Sequence, residues 1–444
     1  MPYSKQVEVL LKQKEINVGD RIEIIRNGKT FQGILMPRIE SGDTSKLIIK
    51  LDSGYNIGIG LDHVKVNKVK SSEETEMGKT KKSLLSLSFD TQKPPVSLIA
   101  TGGTIASRVD YRTGGVYMQM DPKEFLYNVP ELADIANLKI LSPFKKASED
   151  MDSADWIEIA KVVAKELNSG ASGVIVTHGT DTLHYTAAAL SFFLKNLSKP
   201  VVLTGAQKSS DRGSSDSFLN LIASARIAVS DMAEVGICMH GSPSDDYCLF
   251  IRGTKARKMD AVRRDSFRPI NDLPLAKIFA DGKIEKLNPA CKKNGKGTVE
   301  VDAKFEPKVA MLKAYPGSDP SIIEYYMGKG YKGFVVEGTG LGHVPTFAKN
   351  PWISLIKKYS KDVPFVVTSQ AMYGRVNTDV YTNLRILFHD SGAISGQDMT
   401  TESAYVKLGW VLGHTKDLEE TKKLILTNIA GEITGRTLPE TFLY

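Results

Sequence analysis

Residues 173–197 read GVIVTHGTDTLHYTAAALSFFLKNL. The opening run, GVIV, is apolar without interruption, the pattern of a short strand buried on both faces. A polar turn, Thr177 to Thr182, follows it at once, and from Leu183 apolar residues return at helical spacing. Strand, polar turn and helix in that order form one unit of a parallel sheet covered by helices. The unit recurs. VSLIA (96–100) runs into TGGTIAS (101–107), PVVLTGAQ (200–207) leads to DSFLNLIASARIAVSD (216–231), and GICMHG (236–241) is a further strand. The stretch from about 242 to 300 reads as irregular. The rhythm resumes at VAMLKAYPG (309–317), GFVVEGTGLG (333–342) and PFVVTSQA (364–371), and closes with the helical patterns ESAYVKLGWVLGHT (402–415) and LEETKKLILTNI (418–429). The fold class is therefore α/β, with a larger doubly wound domain over 95–300 that carries the polar turns and a smaller α/β domain over 301–444.

Upstream the texture differs. After a short helix at 4–15 come RIEIIR (21–26), TFQGILMPRI (30–39), KLIIKL (46–51), YNIGIGL (55–61) and VKVNKV (64–69), separated by turns such as Asn27-Gly28 and Asp52-Ser53-Gly54. Short strands at this spacing predict a small β-barrel over 1–75. The polar stretch 76–94, ending at Pro94-Pro95, reads as a linker.

Composition excludes several classes. The 444 residues carry 58 Lys+Arg against 51 Asp+Glu, a net charge of +7 that permits contact with a polyanion without demanding it. No run approaches the ~20 apolar residues that span a bilayer, and MPYSKQVEVLLKQKE has no signal-peptide pattern, so a cytoplasmic protein is expected. Cys238, Cys248 and Cys291 are too few and too badly spaced for a disulfide scaffold or a zinc site, and no metal is expected.

In open α/β sheets ligands bind beyond the carboxyl ends of the strands, where both Thr101-Gly102-Gly103-Thr104 and Thr177-His178-Gly179-Thr180-Asp181-Thr182 fall. Glycines such as Gly103 and Gly179 let backbone approach a ligand closely. The bland reading is a capped strand-to-helix turn. TGGT alone fits that reading, whereas the second turn holds more polar groups than a cap requires. His178 reads as a packed, hydrogen-bonded histidine rather than a base. The segment Arg252-Gly253-Thr254-Lys255-Ala256-Arg257-Lys258, with Arg263, Arg264 and Arg268, is the most basic. It is a solvated charge run, a surface for RNA or an acidic substrate, or the source of one inward lysine beside Asp181 that helps take a proton from a threonine hydroxyl.

TGGTIAS and THGTDT, in this order and spacing, resemble the two signature motifs of the bacterial-type L-asparaginase family. The resemblance covers about 95 to 444 and implies an amidohydrolase that uses no metal or cofactor in this chain. It implies Thr104 as nucleophile, with Thr180, Asp181 and Lys258 moving protons. Lys258 is placed by its spacing to Phe267, and Lys255 is the alternative register. Ser148 in ASEDM matches the serine that binds the substrate's head group, with Glu149 beside it. Tyr111 in DYRTGG resembles the tyrosine of the loop that closes over the site, and Tyr117 is the alternative. The acidic residue contributed across the dimer interface in many asparaginases has no counterpart in GRVNTDVYTN (374–383).

A free asparaginase needs no barrel in front. The whole layout, with RGTKARKMDAVRRD (252–265) and the stretch from VKLGWVLGHT onward, resembles the D subunits of archaeal glutamyl-tRNA(Gln) amidotransferases. That resemblance implies a glutaminase supplying ammonia to a partner, the amidotransferase E subunit, which uses ATP and Mg to convert Glu-tRNA(Gln) to Gln-tRNA(Gln). It implies a homodimeric core flanked by two partner subunits, tRNA(Gln) contacted mainly through the partner, and no membrane. The alternatives are a stand-alone L-asparaginase/glutaminase and a non-catalytic sensor or RNA-binding scaffold.

Overall fold

The computed structural model describes residues 3–36, 44–51, 56–69, 92–103, 105, 107–109, 116–118, 129, 131–209 and 215–444, with the backbone alone at 50, 56, 107–109 and 116–118. A nine-residue helix, Lys5–Gln13, is capped by the Ser4 side chain and buries Val7 and Leu11. They pack on the five strands Arg21–Arg26, Lys29–Leu35, Lys46–Leu51, Asn56–Gly60 and Val64–Lys68, all paired antiparallel. The outer strands of this sheet are Asn56–Gly60 and Val64–Lys68. Only residues 61–63 separate them in the chain, and where a small barrel was expected the sheet and helix form a small antiparallel β unit around Ile22, Ile24, Leu47 and Ile49.

The large sheet has eight strands, in the order Ile284–Lys286, Ala276–Phe279, Tyr247–Arg252, Val235–His240, Val201–Thr204, Gly173–Thr177, Pro95–Ala100 and Asn137–Leu141. From Val235–His240 to Asn137–Leu141 every pairing is parallel. Alternate residues face opposite layers, as a strand's period of two requires. Leu98, Ile175 and Val202 meet the helix Ser217–Ala228 on one face. Ile99, Val174, Val176 and Leu203 meet the helices Ser153–Asn168 and Leu183–Phe193 on the other.

The segment expected to be irregular is ordered. Tyr247–Arg252, Ala276–Phe279 and Ile284–Lys286 extend the sheet antiparallel, and Ala256–Lys258 pairs with Phe267–Pro269 in a separate two-stranded ribbon. These strands are short and joined by polar loops, so no helix-and-strand rhythm marks them.

The C-terminal sheet is parallel throughout, in the order Val309–Lys313, Gly333–Gly338, Phe365–Ser369 and Ile394–Ser395. The helix Thr401–His414 lies between the two sheets. Its Ala404, Val406, Leu408 and Val411 belong to one apolar cluster with Val174 and Leu190 of the larger domain and Val335 and Val366 of the smaller. The connection is tied down as well: Glu300–Val301 pairs with Leu194–Lys195, and the Trp410 indole N–H donates to the Asp302 carbonyl at 2.9 Å. Among the described residues no helix is long and apolar enough to cross a membrane.

Candidate active site

The order of strands fixes where a ligand can enter. From Pro95–Ala100 the chain passes to Asn137–Leu141 on one side and then to Gly173–Thr177 on the other. The loops after Pro95–Ala100 and Gly173–Thr177 therefore part at a topological switch point, where a crevice opens. Those loops are 101–103 and 178–182. Their bases are pinned together, since both the hydroxyl and the backbone N–H of Thr101 donate to the Thr177 carbonyl, at 2.9 and 3.1 Å, and the second loop is tied to the next strand by the His178 N–H, which donates to the Thr204 carbonyl at 2.9 Å.

Glycine is obligatory where they touch. Gly103 has φ +83°, and a Cβ there would fall 2.4 Å from the Gly179 nitrogen. A Cβ on Gly179 would fall 2.7 Å from both Cβ and Oγ of Ser148. Backbone atoms of the two loops and the short helical turn Ser148–Asp150 thus close on one another. The Thr182 hydroxyl, donating to the Ser148 carbonyl at 2.6 Å, holds that turn in place. Ser148 is buried and Glu149 is exposed.

Lys258 enters from the ribbon strand Ala256–Lys258. Its Nζ donates to Thr180 Oγ1 at 2.9 Å and to Asp181 Oδ1 at 2.6 Å. The Thr180 hydroxyl in turn faces Gln207 Oε1 at 3.5 Å, and Gln207 Nε2 donates to Ser266 Oγ at 2.6 Å. The Gln207 backbone is anchored by the Asp216 carboxylate, which accepts its N–H at 3.0 Å. Hydroxyl, carboxylate and ammonium are therefore in direct contact, an arrangement that can pass a proton to or from an adjoining alcohol. A cavity of about 380 Å³, lined by Asp181, His184, Tyr185, Arg257, Lys258 and Glu402 among others, flanks the ammonium.

Two competing readings of nearby residues are decided by geometry. His178 is fully buried, its Nδ1 lies 2.7 Å from the Gly179 carbonyl and its Nε2 2.9 Å from the Thr186 hydroxyl. Burial pushes its pKa down to about 4, against the upward pull of the Gly179 carbonyl, so it is a neutral packing residue. Lys255, the alternative lysine, points away and pairs with Asp398 at 2.8 Å with both side chains fully buried. Burial lowers its pKa and Asp398 opposes that shift. The rest of the basic stretch is also matched within the chain: Arg252 by Glu234 and Asp272, Arg257 by Glu402, Arg263 and Arg268 by Asp265, Arg264 by Asp245. Little of its charge is left over for a polyanion.

Thr104 and Tyr111 lie outside the described residues. Tyr117, the alternative to Tyr111, is described in backbone only, opposite Arg108 in the hairpin Ser107–Val109 with Val116–Met118. Gln207, Ser266 and Arg257 were not singled out for this site from sequence. Gln207 had a signal, since it lies just after the strand Val201–Thr204, the neighbour of Gly173–Thr177. Ser266 and Arg257 had none beyond proximity to Lys258. Among the described residues no group of three or more His, Cys, Asp or Glu gathers where a metal could be held.

Comparison with known proteins agrees with this layout. Residues 95–291 match the N-terminal asparaginase model, 308–425 the glutaminase/asparaginase C-terminal domain, and 16–69 the GatD N-terminal domain. The chain is 51% identical to the D subunit of the glutamyl-tRNA(Gln) amidotransferase of Pyrococcus furiosus, over 99% of this chain and 100% of that one. It is 43% identical to the protein of the same name from Methanobrevibacter smithii, over 100% of both. Among solved structures, the thermostable L-asparaginase from Thermococcus kodakarensis superposes with a TM-score of 0.68 at 31% identity, over 77% of this chain and 99% of that one. L-asparaginase I from Vibrio cholerae gives a TM-score of 0.66 at 28% identity, over 77% and 99%.

Proposed function

Because the chain belongs to the family of glutamyl-tRNA(Gln) amidotransferase D subunits, we propose that its site is the glutaminase of such an amidotransferase, releasing ammonia from the side-chain amide of glutamine for Gln-tRNA(Gln) synthesis. The observation that carries this reading is the Lys258 ammonium held at once by Thr180 and Asp181, at the crevice where the 101–103 loop abuts Gly179.

The chemistry follows from those groups. Thr104, next to Gly103, supplies the hydroxyl. Its oxygen bonds to the amide carbon, its proton passes toward the Thr180–Asp181–Lys258 group, and the C–N bond breaks as the nitrogen takes up a proton and leaves as ammonia. Water then attacks the threonyl ester, giving glutamate and the free hydroxyl. Backbone N–H groups of the glycine turns serve as oxyanion donors. Ser148 and Glu149 hold the substrate's amino-acid head group, and Tyr111 closes over it.

The ammonia is consumed by a partner, the E subunit, that activates Glu-tRNA(Gln) with ATP and Mg. This chain forms a homodimeric core for two such partners, and the tRNA is met mainly through them. The internal matching of the basic stretch supports that division of labour. The test is ammonia release from glutamine and from asparagine by the purified chain, with and without the E subunit, ATP and Glu-tRNA(Gln). Glutamine turnover that rises sharply with all three supports the reading. Rapid turnover of asparagine by the chain alone, indifferent to partner and tRNA, supports a stand-alone asparaginase instead.

A further inference from the structure

Arg257 and Lys258 are adjacent on the strand Ala256–Lys258, line one cavity and take different partners. Lys258 reaches into the larger domain, to Thr180 and Asp181. Arg257 reaches into the smaller one, where its Nη1 pairs with Glu402 Oε1 in the helix Thr401–His414. Lys255, in the turn just before that strand, meets Asp398, just ahead of that helix. The segment that presents Lys258 is therefore clamped from the C-terminal domain at two alternate positions. It needs clamping, because Ala256–Lys258 has one strand neighbour, Phe267–Pro269, in a ribbon apart from the large sheet, and an isolated two-stranded ribbon is marginal by itself.

Glu402 is an expensive residue for this place. Its side chain is 6% exposed, and Oε2 is buried with no partner. His184 stands with Nε2 4.0 Å from Glu402 Oε1, and its own Nδ1 is buried and unpartnered. Burial first, then Arg257 and Lys258, drive the His184 pKa down to about 3, so His184 adds no cation to hold the carboxylate. Filling space would be met at lower cost by an apolar side chain. Arg257 is thus the cation that Glu402 faces, and His184 lies on the helix whose first turn follows Asp181.

We propose that Glu402 is a positioning residue for the glutaminase site: by fixing Arg257 it sets the strand that carries Lys258, so the C-terminal domain governs where the ammonium stands relative to Thr180 and Asp181. The inference rests on the glutaminase reading above. It is tested on the full chain assembled with the E subunit and Glu-tRNA(Gln), by measuring kcat and KM for glutamine and the thermal midpoint of four forms: Glu402→Gln, Arg257→Met, their combination, and the exchange Glu402→Arg with Arg257→Glu. Misplacing the ammonium lowers kcat about 10- to 100-fold in each single variant while KM stays within about 3-fold. The combination is no worse than either single change, because both break one link, and the exchange regains part of the lost kcat. Wild-type kcat in Glu402→Gln overturns the inference, as does a loss fully accounted for by the unfolded fraction, or losses that multiply in the combination. An unsubstituted assembly that releases no ammonia from glutamine refutes the glutaminase reading itself, a result separable from all of these.

Discussion

Lys258 Nζ stands 2.6 Å from Asp181 Oδ1 across 77 positions of sequence, with 11% of the lysine side chain exposed and 66% of the aspartate. The ammonium has left water while its counter-charge stays at the surface. A pair with one solvent-facing partner adds little to stability, so its importance is chemical.

Replacing Lys258 by methionine therefore separates folding from turnover. Glutamine-dependent ammonia release falls about 10²- to 10⁴-fold, and urea unfolding changes by no more than about 1 kcal/mol. A variant that retains a tenth of wild-type activity would remove Lys258 from the proton path.

Lys255→Met gives the opposite pattern. It leaves Asp398 buried without its closest cation, and breaking a buried pair costs about 3–5 kcal/mol. Arg375, at 3.6 Å from Asp398, offsets part of that loss. The melting temperature drops by several degrees. Activity per folded molecule falls less than in Lys258→Met and no further than on breaking the Arg257–Glu402 link, since Arg257 still holds the strand, which calorimetry beside a glutaminase assay would register.

Gly103→Ala and Gly179→Ala differ in kind. At Gly103 the new methyl meets backbone and the residue holds φ +83°, so neither neighbour nor torsion can yield. At Gly179 it meets Cβ as well as Oγ of Ser148, so the hydroxyl can rotate away but the Ser148–Asp150 turn must itself move, while the backbone torsion is not strained. Both lose glutaminase activity, but Gly103→Ala loses more stability, beyond the about 1–3 kcal/mol usual for overpacking. Paired denaturant titrations give the ranking.

The histidines make stability depend on acid. The pKa of His178 falls from 6.5 to about 4 on folding, and that of His184 from 6.5 to about 3. The folded state favours the neutral ring, so the unfolded chain binds more protons between the two values. The contribution is fully present above pH 6.5 and is lost as pH falls toward 4 and then 3, at up to about 1.4 kcal/mol per pH unit for each ring. Unfolding free energies measured from pH 4.5 to 7.5 should rise with pH, and His178→Gln should flatten that slope. An unchanged slope would mean the ring is already charged in the fold.

Much of the architecture was open to reading, for a local reason. GVIV followed by a polar turn announces a buried parallel strand and its loop, and the strands of the N-terminal unit are announced by their turns. Tyr247–Arg252 and Ala276–Phe279 were not announced, because short antiparallel strands joined by polar loops lack the helix that gives parallel units their rhythm. Within the site, Thr180 and Asp181 share a single turn and are visible together. The lysine that joins them was a choice between two, settled by which carboxylate each one reaches. Glu402 could not be anticipated at all. Its partner is 145 positions away, and its value lies in a side-chain direction that no local pattern encodes.

The helix Thr401–His414 packs into a cluster that both sheets supply. Severing the chain near residue 305 would leave each fragment with a wide oily wall facing solvent. Separately expressed halves should precipitate, co-expressed halves should reassemble, and the two α/β parts should melt in one calorimetric transition, with the N-terminal β unit free to melt on its own.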